Sequence, residues 1–217
     1  MNQWLLASSS FSCLLLLARV IATGYLTYAF LVWNLFLAFI PYLLTRKLSH
    51  NLNGKKSKSK LIVMLLAWLL FIPNSFYIIT DLFHLNLNSP VPKWFDLLMI
   101  FSFAWNGIIF GIISLRKVEM IVENISGKKF SMLLVFIVMV LIAYGIYIGR
   151  YLRFNSWDVI LNPFSLAGDI LNMLLHPFDH FYPWSMVMTY SLFMTIFYLT
   201  IKKISEYFYI TSQSIKS

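Results

Sequence analysis

Six runs without a charged residue divide the chain, at 1–18, 20–45, 61–80, 97–115, 130–149 and 185–201. Each is close to the roughly 20 residues that an α-helix needs to cross about 30 Å of hydrocarbon. A backbone in lipid must satisfy its own N–H and C=O groups, which restricts such runs to helices. Composition agrees: 60% of the residues are hydrophobic, 12% are charged and the mean hydropathy is +0.77, excluding a water-soluble core and surface. These features predict an all-α fold, a six-helix transmembrane bundle in a single integral membrane domain over 1–217. Its spans are expected at about 4–22, 25–44, 61–79, 96–115, 131–151 and 184–201.

The formal net charge of +9 would suit nucleic acid, but 13 of the 17 Lys and Arg flank apolar runs in three clusters. The first holds Arg46, Lys47, Lys55, Lys56, Lys58 and Lys60, the second Arg116, Lys117, Lys128 and Lys129, and the third Lys202, Lys203 and Lys216. That pattern is topology, and no nucleic-acid partner is expected. Placing all three clusters in the cytoplasm satisfies the positive-inside rule, with both termini cytoplasmic in a multi-pass protein of the cytoplasmic membrane. The polar loop 49–59 then lies against anionic lipid headgroups, and residues 116–130 form an amphipathic cytoplasmic loop. The first run has no basic n-region or small-residue cleavage site and reads as a retained helix. Cys13, the single cysteine, is expected as a packed core thiol.

The stretch Phe71–Asp96 carries ionisable groups at the end of an apolar span. If the helix continues past Pro73, Asn74, Tyr77, Asp81, His84 and Asn88 fall on one stripe, with apolar residues between them. Lipid offers such a stripe no hydrogen-bond partners, so it should face water or protein. Pro73 should kink the helix, and Asn74 either caps the carbonyl freed there or serves a site directly. Arg19 is either a snorkelling charge or an inward-facing partner for Asp81 or another outer acid. Gly107–Gly111 and Gly145–Gly149 read as helix-packing seams, within one chain or in a homo- or hetero-oligomer.

The segment 150–184 is too apolar for a free loop. Asn155-Ser156 before Asp158, and Asn162-Pro163, read as helix starts, so short interfacial helices are expected on the extracytoplasmic face. This topology puts all five Asp at the outer side, with three of the four His. The candidate polar site comprises Asn74, Tyr77, Asp81, His84, Asp96, Arg150, Arg153, Asn155 and Asp158, with the helix-3 stripe facing Arg150 and Arg153. Such residues can supply an acid and a base while the arginines hold a phosphate or carboxylate. Asp81, His84, His176 and His180 are weak candidates for a metal, since no spacing amounts to a ligand signature and Pro177 takes His176 out of helical register. No Gly-rich phosphate loop, nucleophile elbow or CxxC motif is present, so no cofactor is indicated. The same polar groups also suit a purely structural network in a scaffold or complex subunit. A small transporter would need Asn34, Asn74, Ser102 and Asn106 to line one path.

The ordered segments PNSFYIITDLFHL, VPKWFDLL, WNGIIFGIISL and IYIGRYLRFNSWDVILNP resemble the bacterial integral-membrane family catalogued as domain of unknown function 1361, from about Phe30 to Ile201. The resemblance implies a multi-pass bacterial membrane protein and brings no activity, substrate or cofactor. The family's recurring polar residues match Asn74, Asp81, His84, Asp96, Arg150, Asn155, Ser156 and Asp158, without assigned roles, and Ser75 departs from a more usual alanine.

Overall fold

The structure is a computed structural model that describes residues 3–52, 58–85, 89–154 and 158–214. It is helical throughout: α1 (Gln3–Thr23), α2 (Phe30–Leu52), α3 (Lys58–Tyr77) continuing as a 3₁₀ turn (Ile78–His84), α4 (Lys93–Ser126), α5 (Lys128–Arg150), α6 (Asp158–Leu161), α7 (Pro163–Leu175) and α8 (Phe181–Ser214). Six helices are long and apolar enough to cross a membrane: α1, α2, α3 with its 3₁₀ extension, α4, α5 and α8. The chain is therefore a multi-pass membrane protein with an all-α transmembrane bundle.

α3 and α4 form the centre, α4 packing on α1, α2, α3 and α5, and α3 on α2, α4 and α5, while α8 leans on α5. The glycine seams explain how α3 fits so closely. A Cβ on Gly111 would meet Ser75 and Phe76, and one on Gly145 would come within 2.8 Å of the Pro73 ring. Gly149 lies against Tyr77 in the same way. Both seams are thus filled inside the chain, by α3, and offer no face to a second copy. Around them Ile72, Phe76, Met139, Ile142 and Ile146 form one core cluster, and Leu31, Ile100 and Phe103 belong to a second beside α1 and α2.

Several expectations are revised. α4 runs unbroken to Ser126, so 116–130 is no loop; Gly127, at φ +83°, is the sole residue between α4 and α5. α2 likewise continues to Leu52, and the rest of the lysine-rich loop, 53–57, lies outside the described residues. Cys13 is exposed on the outward side of α1, not packed in a core. α7 begins at Pro163 with Asn162 at its N-cap, as the Asn-Pro pair predicts. The other proposed start, Asn155-Ser156, lies outside the described residues, as does Asn88. Because the spanning helices alternate in direction, Arg46, Lys117, Lys128 and Lys202 gather at one end of the bundle and Asp81, Asp96 and Arg150 at the other.

Candidate functional site

The aspartate-bearing end is organised by the change of helix type after Tyr77. A 3₁₀ turn has three residues per turn, so the stripe expected from 3.6-residue spacing does not continue in line. Asp81 is rotated into the protein and is buried, while His84 is exposed. Asn74 and Tyr77, on the α-helical part, are half-buried. Asn74 Nδ2 donates to the Phe71 carbonyl at 3.1 Å, so its side chain bonds within its own turn beside Pro73 and not to the carbonyl four residues before the proline.

The buried Asp81 carboxylate is met by a neutral donor, Asn34 Nδ2 on α2, at 2.8 Å from Oδ2. The Arg150 charge at the end of α5 acts on it from farther away. Arg150 itself approaches His84 directly, Nη1 to Nε2 at 2.9 Å, and its guanidinium lies over the Phe83 ring. A guanidinium only donates, so His84 Nε2 is the acceptor and the imidazole is neutral with its proton on Nδ1. Of the stripe expected to face Arg150 and Arg153, His84 is the residue that touches Arg150. Arg153 stands exposed with φ of 62°, a left-handed conformation uncommon outside glycine.

Asp96 belongs to a separate arrangement. It is fully buried in the first turn of α4, where Arg19 Nε lies 2.7 Å from Oδ1 and Ser89 donates to Oδ2. Arg19 is thus the inward-facing partner of an acid, and that acid is Asp96, not Asp81. The guanidinium also covers the Tyr28 ring at 4.4 Å, and the Tyr28 hydroxyl donates to the His84 carbonyl at 3.0 Å. Tyr28 thereby connects the ion pair to the backbone that carries His84. Asp158 is buried at the start of α6, Asn155 lies outside the described residues, and His176, which caps the end of α7, is exposed. Among the described residues no group of three or more His, Cys, Asp or Glu side chains could hold a metal ion, so Asp81, His84, His176 and His180 are not brought together as ligands.

Below this cluster lies a cavity of ≈ 700 Å³ that sequence reasoning did not anticipate. Its walls come mainly from α2, α3, α5 and α7, with Phe154, Val159 of α6 and Trp184 of α8 adding to them, and its lining is mostly Leu, Ile, Val and aromatic side chains. Asn34, Asn74, Tyr77 and Tyr144 supply its polar groups, with the indoles of Trp33 and Trp184. Asn34 belongs to both features, lining the cavity and binding Asp81. Ser102 and Asn106 do not line it: Asn106 donates to Ser12 Oγ at 3.0 Å in the α1–α4 seam. Of the four residues a transporter would need, Asn34 and Asn74 line this cavity.

A second polar cluster, also missed, ties α4 to α8 at the opposite end. Glu119 is fully buried and accepts from Arg116, from the Tyr198 hydroxyl and from Lys202 Nζ at 2.6 Å. The apolar residues of 118–125, with no Gly or Pro before Gly127, were the available signal that the helix continues and carries Glu119 inward.

Neither a curated protein nor a solved structure matches the chain. A family model does match, over residues 33–200, a stretch holding α3 and α4, both glycine seams, the Asp81–Arg150 cluster and the cavity. The chain belongs to the family described as Protein of unknown function (DUF1361).

Proposed function

We propose that Asp81, His84 and Arg150 form a binding site on the extracytoplasmic face for the anionic part of an envelope-associated substrate, a lipid-linked or phosphorylated one. The observation that carries this reading is the pairing of charge with neutrality. The Arg150 cation meets a neutral imidazole, and among the described residues no ion pair involves it. A half-buried guanidinium in that state keeps donors for an incoming phosphate or carboxylate, which it binds in a two-pronged geometry. Asp81, held by Asn34, can orient a donor group of the same ligand. The arrangement of the basic residues supports the orientation, since their common end is the cytoplasmic one by the positive-inside rule.

The rival reading makes the polar residues a structural tie between cap and bundle. One pair favours it, Arg19–Asp96, whose charges are buried and mutually satisfied. Arg150 and His84 differ from that pair in being open to the surroundings.

The test is the phosphorus content of the purified, detergent-washed protein. Wild type should retain tightly bound phosphorus, Arg150→Gln should lose it with its melting temperature unchanged, and Lys93→Gln, a cation at the same end, should keep it. Loss of thermal stability in Arg150→Gln with bound phosphorus unaffected would replace this reading with the structural one.

A further inference from the structure

We infer that the cavity between α2, α3, α5 and α7 is a slot for one long hydrocarbon chain, entered sideways from the bilayer, whose anionic head rests at Arg150. This rests on the reading of the Arg150 cluster as a binding site and adds the chemical class of its ligand, an anionic single-chain or chain-bearing amphiphile.

Depth is the first argument. The lining extends along α5 from Val140 to Gly149 and along α3 from Leu69 to Tyr77. At 1.5 Å per residue these are about 13 Å and 12 Å, roughly one leaflet of a hydrocarbon core of about 30 Å. The cavity ends where the polar cluster begins, for Arg150 stands between two lining residues, Gly149 and Phe154. It therefore has the proportions of a lipid in a single leaflet, apolar below and charged above.

The second argument concerns what else could fill it. Water in a cavity needs two to four polar partners per molecule; polar side chains are a minority of this lining, and three of them are already bonded, Asn34 to Asp81, Asn74 to Phe71 and Trp184 to Met173. A volume of this size lies within the usual range for small-molecule sites and is far too large to remain an empty packing defect.

The third is access. Leu70 on α3, Leu141 on α5 and Leu174 on α7 line the cavity yet remain uncovered by protein. α7 is amphipathic and buries only Met173, whose carbonyl accepts from Trp184 Nε1 at 3.1 Å. It thus spans the slot as a cover fastened at one point, leaving a side opening at lipid depth.

The test uses the full-length protein in phosphatidylcholine nanodiscs doped with a lipid whose chain ends in a photoactivatable diazirine. One arm carries that chain on phosphatidylglycerol, one on phosphatidylcholine, and one is a polyprenyl phosphate; the stronger anionic arm identifies acyl or isoprenoid. Adducts should concentrate on Leu37, Leu70, Leu141 and Ile148, saturate with unlabelled anionic lipid, and fall several-fold in Leu37→Trp and Leu141→Trp. Labelling of Leu14 and Leu17 on the outward side of α1 should not change. Leu141 is already uncovered, so its variant decides the matter even where Leu37→Trp fails to fold. Adducts spread evenly over α1 and the cavity, or undiminished in Leu141→Trp, would overturn the slot. Arg150→Gln should keep chain adducts while losing the preference for anionic heads. Saturable adducts without headgroup preference in wild type would overturn the head reading alone, and retained phosphorus without cavity adducts would overturn the chain reading alone.

Discussion

Arg19 on α1 and Asp96 on α4 are 77 residues apart and meet as a charged pair with both side chains out of contact with solvent, Nε to Oδ1 at 2.7 Å. Arg19 Nη1 is buried without a hydrogen-bond partner among the described residues, so the guanidinium depends on Asp96, Ser89 and the Tyr28 ring for its compensation. Removing either charge strands the other. Asp96→Leu or Arg19→Met alone should each destabilise the protein by about 3–5 kcal/mol, and the double variant should recover much of that loss. Thermal unfolding in detergent checks it, and additive single-variant losses would refute the pairing.

The α3–α5 seam makes a sharper steric prediction. Gly145→Ala puts a methyl group into the rigid Pro73 ring and should cost about 1–3 kcal/mol. Gly168, within α7, has nothing within 4 Å of the position a methyl group would take and a conformation open to any residue, so Gly168→Ala should stabilise by about 0.5–1 kcal/mol. Paired melting curves of the two variants check both signs.

At the basic end, Glu119→Ala would leave Arg116 and Lys202 facing each other across a buried space with their shared carboxylate gone. A loss of about 3–5 kcal/mol is expected, with Tyr198→Phe costing less because it removes one donor and no charge. Hydrogen exchange along α8 should accelerate in Glu119→Ala before it does so in α2 or α3.

Orientation is checked by cysteine labelling in a Cys13→Ala background. On intact cells a membrane-impermeant maleimide should label Asp179→Cys and leave Ser205→Cys unmodified until the membrane is opened. The reverse result would place Arg150 on the cytoplasmic side and remove the extracytoplasmic site.

Much of the bundle was legible because hydropathy needs no knowledge of neighbours: six apolar runs give six long helices. The glycine pairs were legible as seams for a related reason, since the absence of a side chain is itself a steric statement. Partner choice was not legible. Arg19 had several acids to choose from, and Asp96 prevails because α1 packs on α4. Asp81 is held by Asn34, a neutral amide inside an uncharged run, which charge patterning cannot reveal. Glu119 fell in the loop expected over 116–130 because Arg116 closes an uncharged run in the sequence, whereas the helix continues with its carboxylate turned inward. The stripe expected from Asn74 to His84 is broken after Tyr77, where the helix tightens to 3₁₀ geometry around Ile78 and Asp81, both buried. The cavity arises from the spacing of four separate helices and has no counterpart in any single segment.

The single-residue joint at Gly127 has a mechanical consequence. With no slack between them, and with α3 wedged into the grooves of both, α4 and α5 form a stator whose relative motion is confined to the rotation one glycine allows. The contrast is with α7, a short helix at the edge of the bundle with Met173 as its one buried side chain.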